Sequence, residues 1–134
     1  MRYPTRLLAA ALLGTAFACS NSTDSSPPPG LAGTYSAASF RTSDGGVSID
    51  RIAAGLIMVI RLRDNGTTTG TISERGTVKP IAGTWDTTGT AVHFHDAGSA
   101  FLNDLPFQVH SGSLSADDSS GTTRYTIVLR KVRD

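Results

Sequence analysis

Two histidines separated by one residue, His93 and His95, are the side chains of this sequence best placed by type and spacing to bind a metal ion. Residues two apart in a strand share a face, but this spacing alone supplies neither a third ligand nor a closed coordination shell. The alternation also opposes a metal site, because the apolar Val92 and Phe94 are expected on the inner face. We therefore predict that both histidines face solvent and that no metal is bound, with His93 and His95 as the weak candidates.

The sequence contains no motif that is typical of nucleophilic or acid–base catalysis. The serine-rich chain has no Gly-x-Ser-x-Gly elbow, which would expose a hydroxyl at a strained turn. Ser111-Gly112-Ser113 is more simply a hairpin turn, and Asp117-Asp118 is expected at the solvated tip of a loop over residues 117–121. The glycines form no phosphate-binding loop. We predict no catalytic residues, no cofactor and no enzymatic activity.

The single cysteine, Cys19, ends a segment that has the order of an export signal. Arg2 and Arg6 precede an apolar run over residues 7–13, and small residues follow up to Ala18. The apolar run is too short to cross ~30 Å of hydrocarbon. The sequence therefore predicts that residues 1–18 are a signal peptide and that the mature chain begins at Cys19.

Ala18 and Cys19 resemble the bacterial lipoprotein signal, in which a small residue precedes a cysteine that receives a diacylglyceryl group. The resemblance implies a protein anchored in the cell envelope by its lipid, and in the outer rather than the inner membrane because Ser20 is not aspartate. Lipidation would consume a thiol that has no second cysteine for a disulfide. Ordinary cleavage after Ala18, giving a secreted or periplasmic protein, is the alternative, since Ala16 and Phe17 depart from the lipoprotein pattern.

Residues 19–30 are expected to form a disordered tether, because their Ser, Asn, Thr, Asp and Pro residues cannot bury apolar surface. At ~3.1 Å per residue this segment reaches no more than roughly 35 Å. Residues 31–134 then make up one domain. Without Arg2 and Arg6, ten Lys and Arg residues stand against eleven Asp and Glu residues. A near-neutral chain of this kind predicts no nucleic-acid partner.

Alternation with a period of two recurs throughout the domain, and helical periodicity is scarce. A single helical turn is expected over residues 48–55 and a loop over residues 97–104. Turn signals such as Asn65-Gly66 separate segments that fit strands. These segments are residues 34–41, 56–63, 67–74, 80–87, 91–96, 105–110, 113–116 and 122–132. Eight strands with regular turns predict an all-β antiparallel sandwich or barrel.

Four short motifs resemble those of small lipocalin-like, or calycin-like, bacterial domains. They are Gly33-Thr34-Tyr35, Asp64-Asn65-Gly66-Thr67, Gly83-Thr84-Trp85 and Tyr125-Thr126-Ile127-Val128-Leu129. The resemblance implies eight antiparallel up-and-down strands closed into a barrel, with an aromatic residue plugging one end. Closure would also remove the two open edges of a flat sheet.

A barrel of eight strands encloses space for side chains or for one small ligand. We expect it to be filled by Met58, Trp85, Phe94, Phe107, Tyr125 and several Leu and Ile residues. One hypothesis is that a small hydrophobic ligand or lipid binds at the barrel mouth, bordered by Leu56, Met58, Phe94, Leu105 and Phe107. The alternative is a protein-interaction module of the cell envelope, or an inhibitor of an exported enzyme, which needs no cavity.

Arg61 and Arg63 are expected on the outer face of one strand and Arg130 on that of another, followed by Lys131. These cations could form a small basic patch. We interpret them as charges that keep the outer face of the sheet soluble, because nearby carboxylates such as Asp64 offset them.

Overall fold

Nine strands and one short helix make up residues 30–133, the part of the chain that the computed structural model describes. The strands are β1 Gly33–Asp44, β2 Val47–Asp50, β3 Ile57–Leu62, β4 Thr67–Glu74, β5 Thr77–Thr88, β6 Ala91–His95, β7 Phe107–His110, β8 Ser113–Ser120 and β9 Thr123–Arg133, and the helix is α1 Ala100–Asp104. The predicted signal peptide, Cys19 and the tether up to residue 29 lie outside the described residues. Within them, no helix is long and apolar enough to span a membrane.

The predicted all-β barrel is confirmed. β1 and β3 through β9 form an up-and-down antiparallel sheet of eight strands, and each predicted strand overlaps one of them. The sheet closes because β1 also pairs with β9, from Thr34 opposite Arg133 to Ser43 opposite Arg124. The alternating inner faces of eight twisted strands thereby surround one core.

The barrel has two ends that differ in what covers them. We call the end that carries α1 and the β4–β5 and β8–β9 turns the helix end. The opposite end carries the β3–β4 and β7–β8 turns and receives the chain at Gly30, and we call it the entry end. At the entry end the Trp85 Nε1 donates to the Arg63 carbonyl oxygen at 3.0 Å, and the Tyr35 hydroxyl donates to the Leu31 carbonyl oxygen at 2.7 Å. These two aromatic residues close that end of the core.

The apolar core is drawn mainly from the inner faces of the barrel strands, and Leu102 of α1 adds to it. Its buried side chains begin at Leu31 and end at Leu129, and the Phe94 and Phe107 rings meet edge to face at 5.3 Å between centroids. Burial of this kind is the main favourable term in folding. Because the core and the closing strands all lie after residue 30, we infer that residues 30–134 fold without the preceding segment.

Three local predictions are corrected. The helical turn predicted over residues 48–55 begins later than expected, because β1 extends past the part that β3 covers and its free edge pairs with strand β2, Val47–Asp50. Residues 51–55 do form a turn, which Asp50 caps: its carboxylate accepts the Ala53 N–H at 3.1 Å and its carbonyl oxygen accepts the Ala54 N–H at 3.1 Å. The predicted loop over residues 97–104 contains α1. Pro106 restricts only the residue before it, so the helix forms upstream and ends at Asp104, with Leu105 in an extended conformation.

The predicted loop tip at Asp117-Asp118 is also wrong, because both residues lie within β8. β8 continues to Ser120 because β9 pairs with it along its whole length. Asp117 points outward, and its Oδ1 accepts a hydrogen bond from Arg124 Nε at 3.0 Å. The turn that ends this hairpin lies at Gly121-Thr122 instead.

Two glycines allow neighbouring strands to approach closely. A Cβ atom at Gly70 would overlap the Val59 carbonyl oxygen and lie 2.9 Å from the Ile60 Cα, and a Cβ atom at Gly83 would overlap the His95 carbonyl oxygen. In both cases the obstacle is backbone, which cannot move aside as a flexible side chain does. The tight curvature of this small barrel therefore depends on glycine at these positions.

We predict that Gly70→Ala lowers the free energy of unfolding by about 1–3 kcal/mol, since the added methyl group must push β3 away. Thr71→Ala, at the adjacent exposed position, should change it by less than about 0.5 kcal/mol. Denaturant unfolding followed through Trp85 fluorescence gives both values. Equal effects of the two substitutions would contradict the close approach of β3 and β4.

Candidate functional site

A cavity of about 790 Å³ opens at the helix end of the barrel. We call it the cup. It exists because β1, β4, β5 and β9 run beyond the ends of the shorter strands β3, β6 and β7 and form a wall on one side. The cup is lined by Phe40, Thr42, Asp44, Ile49, Arg51, Leu56, Ile72, Glu74, Arg75, Thr77, Lys79, Ser99, Phe101, Thr123 and Tyr125. Its volume lies within the range of small-molecule sites.

The residues predicted to border a ligand fall into two groups. Leu56 lines the cup, at 4% exposure. Met58, Phe94, Leu105 and Phe107 are also buried, at 0–1% exposure, but they lie in the packed part of the core and not in the cup. The structure therefore brings only Leu56 of this set to the open site. Tyr125, expected to fill the core, is only partly buried and faces the cup.

Three aromatic side chains cluster in the apolar part of the cup, which also includes Ile49, Leu56 and Ile72. The Phe101 and Tyr125 rings stack at 5.1 Å with an angle of 17° between their planes, and the Phe40 ring meets them edge-on at 5.4 and 6.3 Å. Phe40 is buried, whereas Phe101 and Tyr125 are only partly covered. The chain thus leaves apolar ring surface accessible inside a concavity, which a ligand can cover.

An ion pair between Arg51 and Glu74 lies on the wall of the cup. The Arg51 Nη2 is 2.6 Å from both Glu74 carboxylate oxygens, and the two side chains are 30% and 31% exposed. The turn after β2 holds Arg51 in place, because its N–H donates to the Phe40 carbonyl oxygen at 2.8 Å and its carbonyl oxygen accepts the Leu56 N–H at 2.8 Å. The Arg51 Nε is buried and has no hydrogen-bond partner among the described residues.

The inner face of β5 changes from apolar to polar toward the rim. Ile81 and Trp85 are buried, but Thr77 and Lys79, which face the same way, line the cup and are exposed. Arg75 stands beside them in the β4–β5 turn with a positive φ of 50°. This conformation is uncommon for a residue with a side chain. Within residues 30–133, neither Lys79 nor Arg75 forms an ion pair, so both cations are available at the mouth.

Most of the cup was missed by the sequence analysis. Phe101 was assigned to a loop, although Phe101, Leu102 and Leu105 have the three- and four-residue spacing of a helix that buries one side. Lys79 was predicted to lie before its strand begins. Lys79 and Thr77 are nevertheless separated from the inward-facing Ile81 by the even spacing that places residues on one face of a strand. No sequence pattern places Arg51 in the cup, because its position depends on β2, which was not predicted.

The histidines predicted to face solvent alternate with the buried Val92 and Phe94 on β6 and lie on its outer side. His95 is exposed, and its Nε2 is 2.9 Å from an Asp86 carboxylate oxygen. Across the described part of the chain, no three His, Cys, Asp or Glu side chains are grouped as a metal site would require. The structure therefore pairs the His95 imidazole with a single carboxylate, and His93 lies two residues before it on the same strand.

No protein-family model, no curated protein and no solved structure matches this chain.

We predict that Glu74→Gln lowers the free energy of unfolding by about 1 kcal/mol, because it removes the charge that balances the partly buried Arg51. Asp117→Asn breaks the Asp117–Arg124 ion pair, whose side chains are 58% and 59% exposed, and should cost less than about 0.5 kcal/mol. Chemical denaturation of both variants provides the comparison. A larger loss of unfolding free energy from Asp117→Asn than from Glu74→Gln would contradict the role assigned to the Arg51–Glu74 ion pair in the wall of the cup.

Proposed function

We propose that this protein is an exported lipoprotein, held in the cell envelope through Cys19, whose lipocalin-like barrel binds a small amphipathic molecule in the cup. The observation that carries the binding proposal is the partly covered stack of Phe101 and Tyr125 inside a cavity of about 790 Å³. Small-molecule sites combine apolar surface with convergent polar groups, and in the cup the polar and charged lining residues outnumber the apolar ones. The proposal includes no catalytic step.

The arrangement of the cup supports an orientation for such a ligand. Its apolar part would contact Phe40, Phe101 and Tyr125, where burial of ring surface contributes roughly 25 cal/mol per Å². Its polar or anionic part would lie at the mouth, near Arg75 and Lys79. The sequence-based hypothesis of a small hydrophobic ligand or lipid is thus kept, but its site moves from Met58, Phe94, Leu105 and Phe107 to the cup.

The alternative, a protein-interaction module, has its own support at the same end. β2 pairs only with β1 among the described strands, so its other edge is open to a further strand. Val47 on β2 is 65% exposed, and Val78 on the outer face of β5 is 62% exposed. A partner that adds a strand to β2 would use main-chain hydrogen bonds and leave the aromatic stack of the cup unused.

Anilinonaphthalene sulfonate, an aromatic anion whose fluorescence rises in apolar surroundings, suits the cup as a probe. We predict that Phe101→Ala weakens its binding about tenfold, as loss of a central aromatic contact typically does. Val78→Ala removes an exposed apolar side chain outside the cup and serves as the matched control, with affinity unchanged. Fluorescence titration of the folded proteins measures both. Equal affinities for Phe101→Ala and the unsubstituted protein would contradict ligand binding in the cup.

The anchor has a separate test in the full chain. Cys19→Ser should either release the protein from the membrane fraction or leave its signal uncleaved, because no diacylglyceryl group can be attached. Ser20→Asp should keep the lipid but move the protein from the outer to the inner membrane. Fractionation and intact mass report both results. An unchanged membrane fraction and mass for Cys19→Ser would refute lipidation.

A further inference from the structure

The chain enters the barrel beside a group of cations. Gly30 has a φ of +89°, and its carbonyl oxygen accepts a hydrogen bond from Lys131 Nζ at 2.9 Å. Lys131 follows Arg130 near the end of β9, and β9 lies next to β1. The contact joins the first described residue to the last strand, so Gly30 is held at the entry end.

Arg61 and Arg63 lie on the other side of β1 from β9. Arg61 stands opposite Thr34, and Arg130 stands opposite Ser36, so these two exposed cations flank β1 on the outer surface. Arg63 is exposed at the turn that follows β3. We call Arg61, Arg63, Arg130 and Lys131 the basic face. In the part of the chain that is described, Arg61, Arg63 and Arg130 form no ion pair with a carboxylate.

The basic face includes a concavity. A shallow cavity of about 350 Å³ lies beside Gly30 and is lined by Arg61, Arg63 and Lys131. Asp64 lines it too and is the carboxylate that partly offsets these cations. Guanidinium groups around a shallow cavity bind phosphate oxygens well, because they donate several hydrogen bonds in a fixed geometry.

Carboxylates gather at the opposite end of the barrel. Asp44, Glu74 and Asp104 lie at the helix end, and so do Asp117 and Asp118 in the second half of β8. The helix end also carries cations, so its charges are mixed; they are Arg41, Arg51, Arg75, Lys79 and Arg124. An anionic surface therefore attracts the entry end more strongly than the helix end.

We propose that the basic face docks on anionic phospholipid headgroups, so that the barrel lies with its entry end against the bilayer and the cup directed away from it. The proposal extends the lipid anchor proposed above. A tether of at most roughly 35 Å keeps the domain near the bilayer, which raises the effective concentration of headgroups and makes a weak contact sufficient. Each basic residue near such a surface strengthens the attraction about fivefold.

The test uses residues 19–134 coupled through the Cys19 thiol to a maleimide lipid, which anchors the chain whether or not the cell lipidates it. Trp85, the single tryptophan, lies at the entry end and acts as the donor for energy transfer to dansyl-labelled headgroups. Transfer should be higher on vesicles of phosphatidylglycerol and phosphatidylcholine than on phosphatidylcholine alone. It should fall to the lower value in 1 M salt, where the Debye length is about 3 Å.

Two double variants locate the contact. Arg61→Gln with Arg63→Gln should lower the ratio of docked to undocked protein roughly 25-fold, at about fivefold for each cation, and reduce transfer to the phosphatidylcholine value. Arg41→Gln with Arg124→Gln removes the same charge from exposed positions toward the helix end and should leave transfer unchanged. Equal transfer on the two vesicle types, or no response to the first double variant, would overturn the proposal. Neither result depends on ligand binding in the cup or on natural lipidation.

Discussion

Closure of the sheet by the pairing of β1 with β9 is the constraint on which the rest of the structure depends. A small sheet of eight strands has an inside only when its first and last strands meet, and here they pair from Thr34 to Ser43 of β1. Closure satisfies both edges and forces the curvature that Gly70 and Gly83 permit. It also joins the point of chain entry at Gly30 to the end of β9, which gives the barrel two chemically distinct ends.

Unequal strand lengths then divide the interior. β3, β6 and β7 have four to six residues each and surround a core packed with Met58, Phe94 and Phe107. β1, β5 and β9 have 11 or 12 residues and continue past that core. At the helix end their inner faces have no opposing strands to pack against, so Tyr125, Lys79 and Thr42 line a cup. The unequal strand lengths therefore leave one end of the closed barrel packed and the other open.

The sequence predicted the strands well because alternation and turn chemistry are local. The Asn65-Gly66 turn and the inward Val92 and Phe94 of β6 needed no knowledge of the rest of the chain. The expectation of a filled interior failed at one end, because counting apolar residues gives their total volume but not how far each strand extends. α1 was missed because Pro106 was taken to exclude a helix over a longer segment than the single residue it restricts. The Arg51–Glu74 pair joins residues 23 apart through an unpredicted strand, and no local pattern indicates it.

We claim that the cup holds a small molecule while the remainder of the barrel is packed. A native mass spectrum of residues 30–134, exported to an oxidising bacterial compartment and purified gently, distinguishes an occupied cup from an empty one. We expect a one-to-one adduct that is lost on mild collisional activation, and the adduct mass would identify the class of ligand. A bare protein mass under the same conditions, in material shown to be folded, would contradict the claim and favour the protein-interaction alternative.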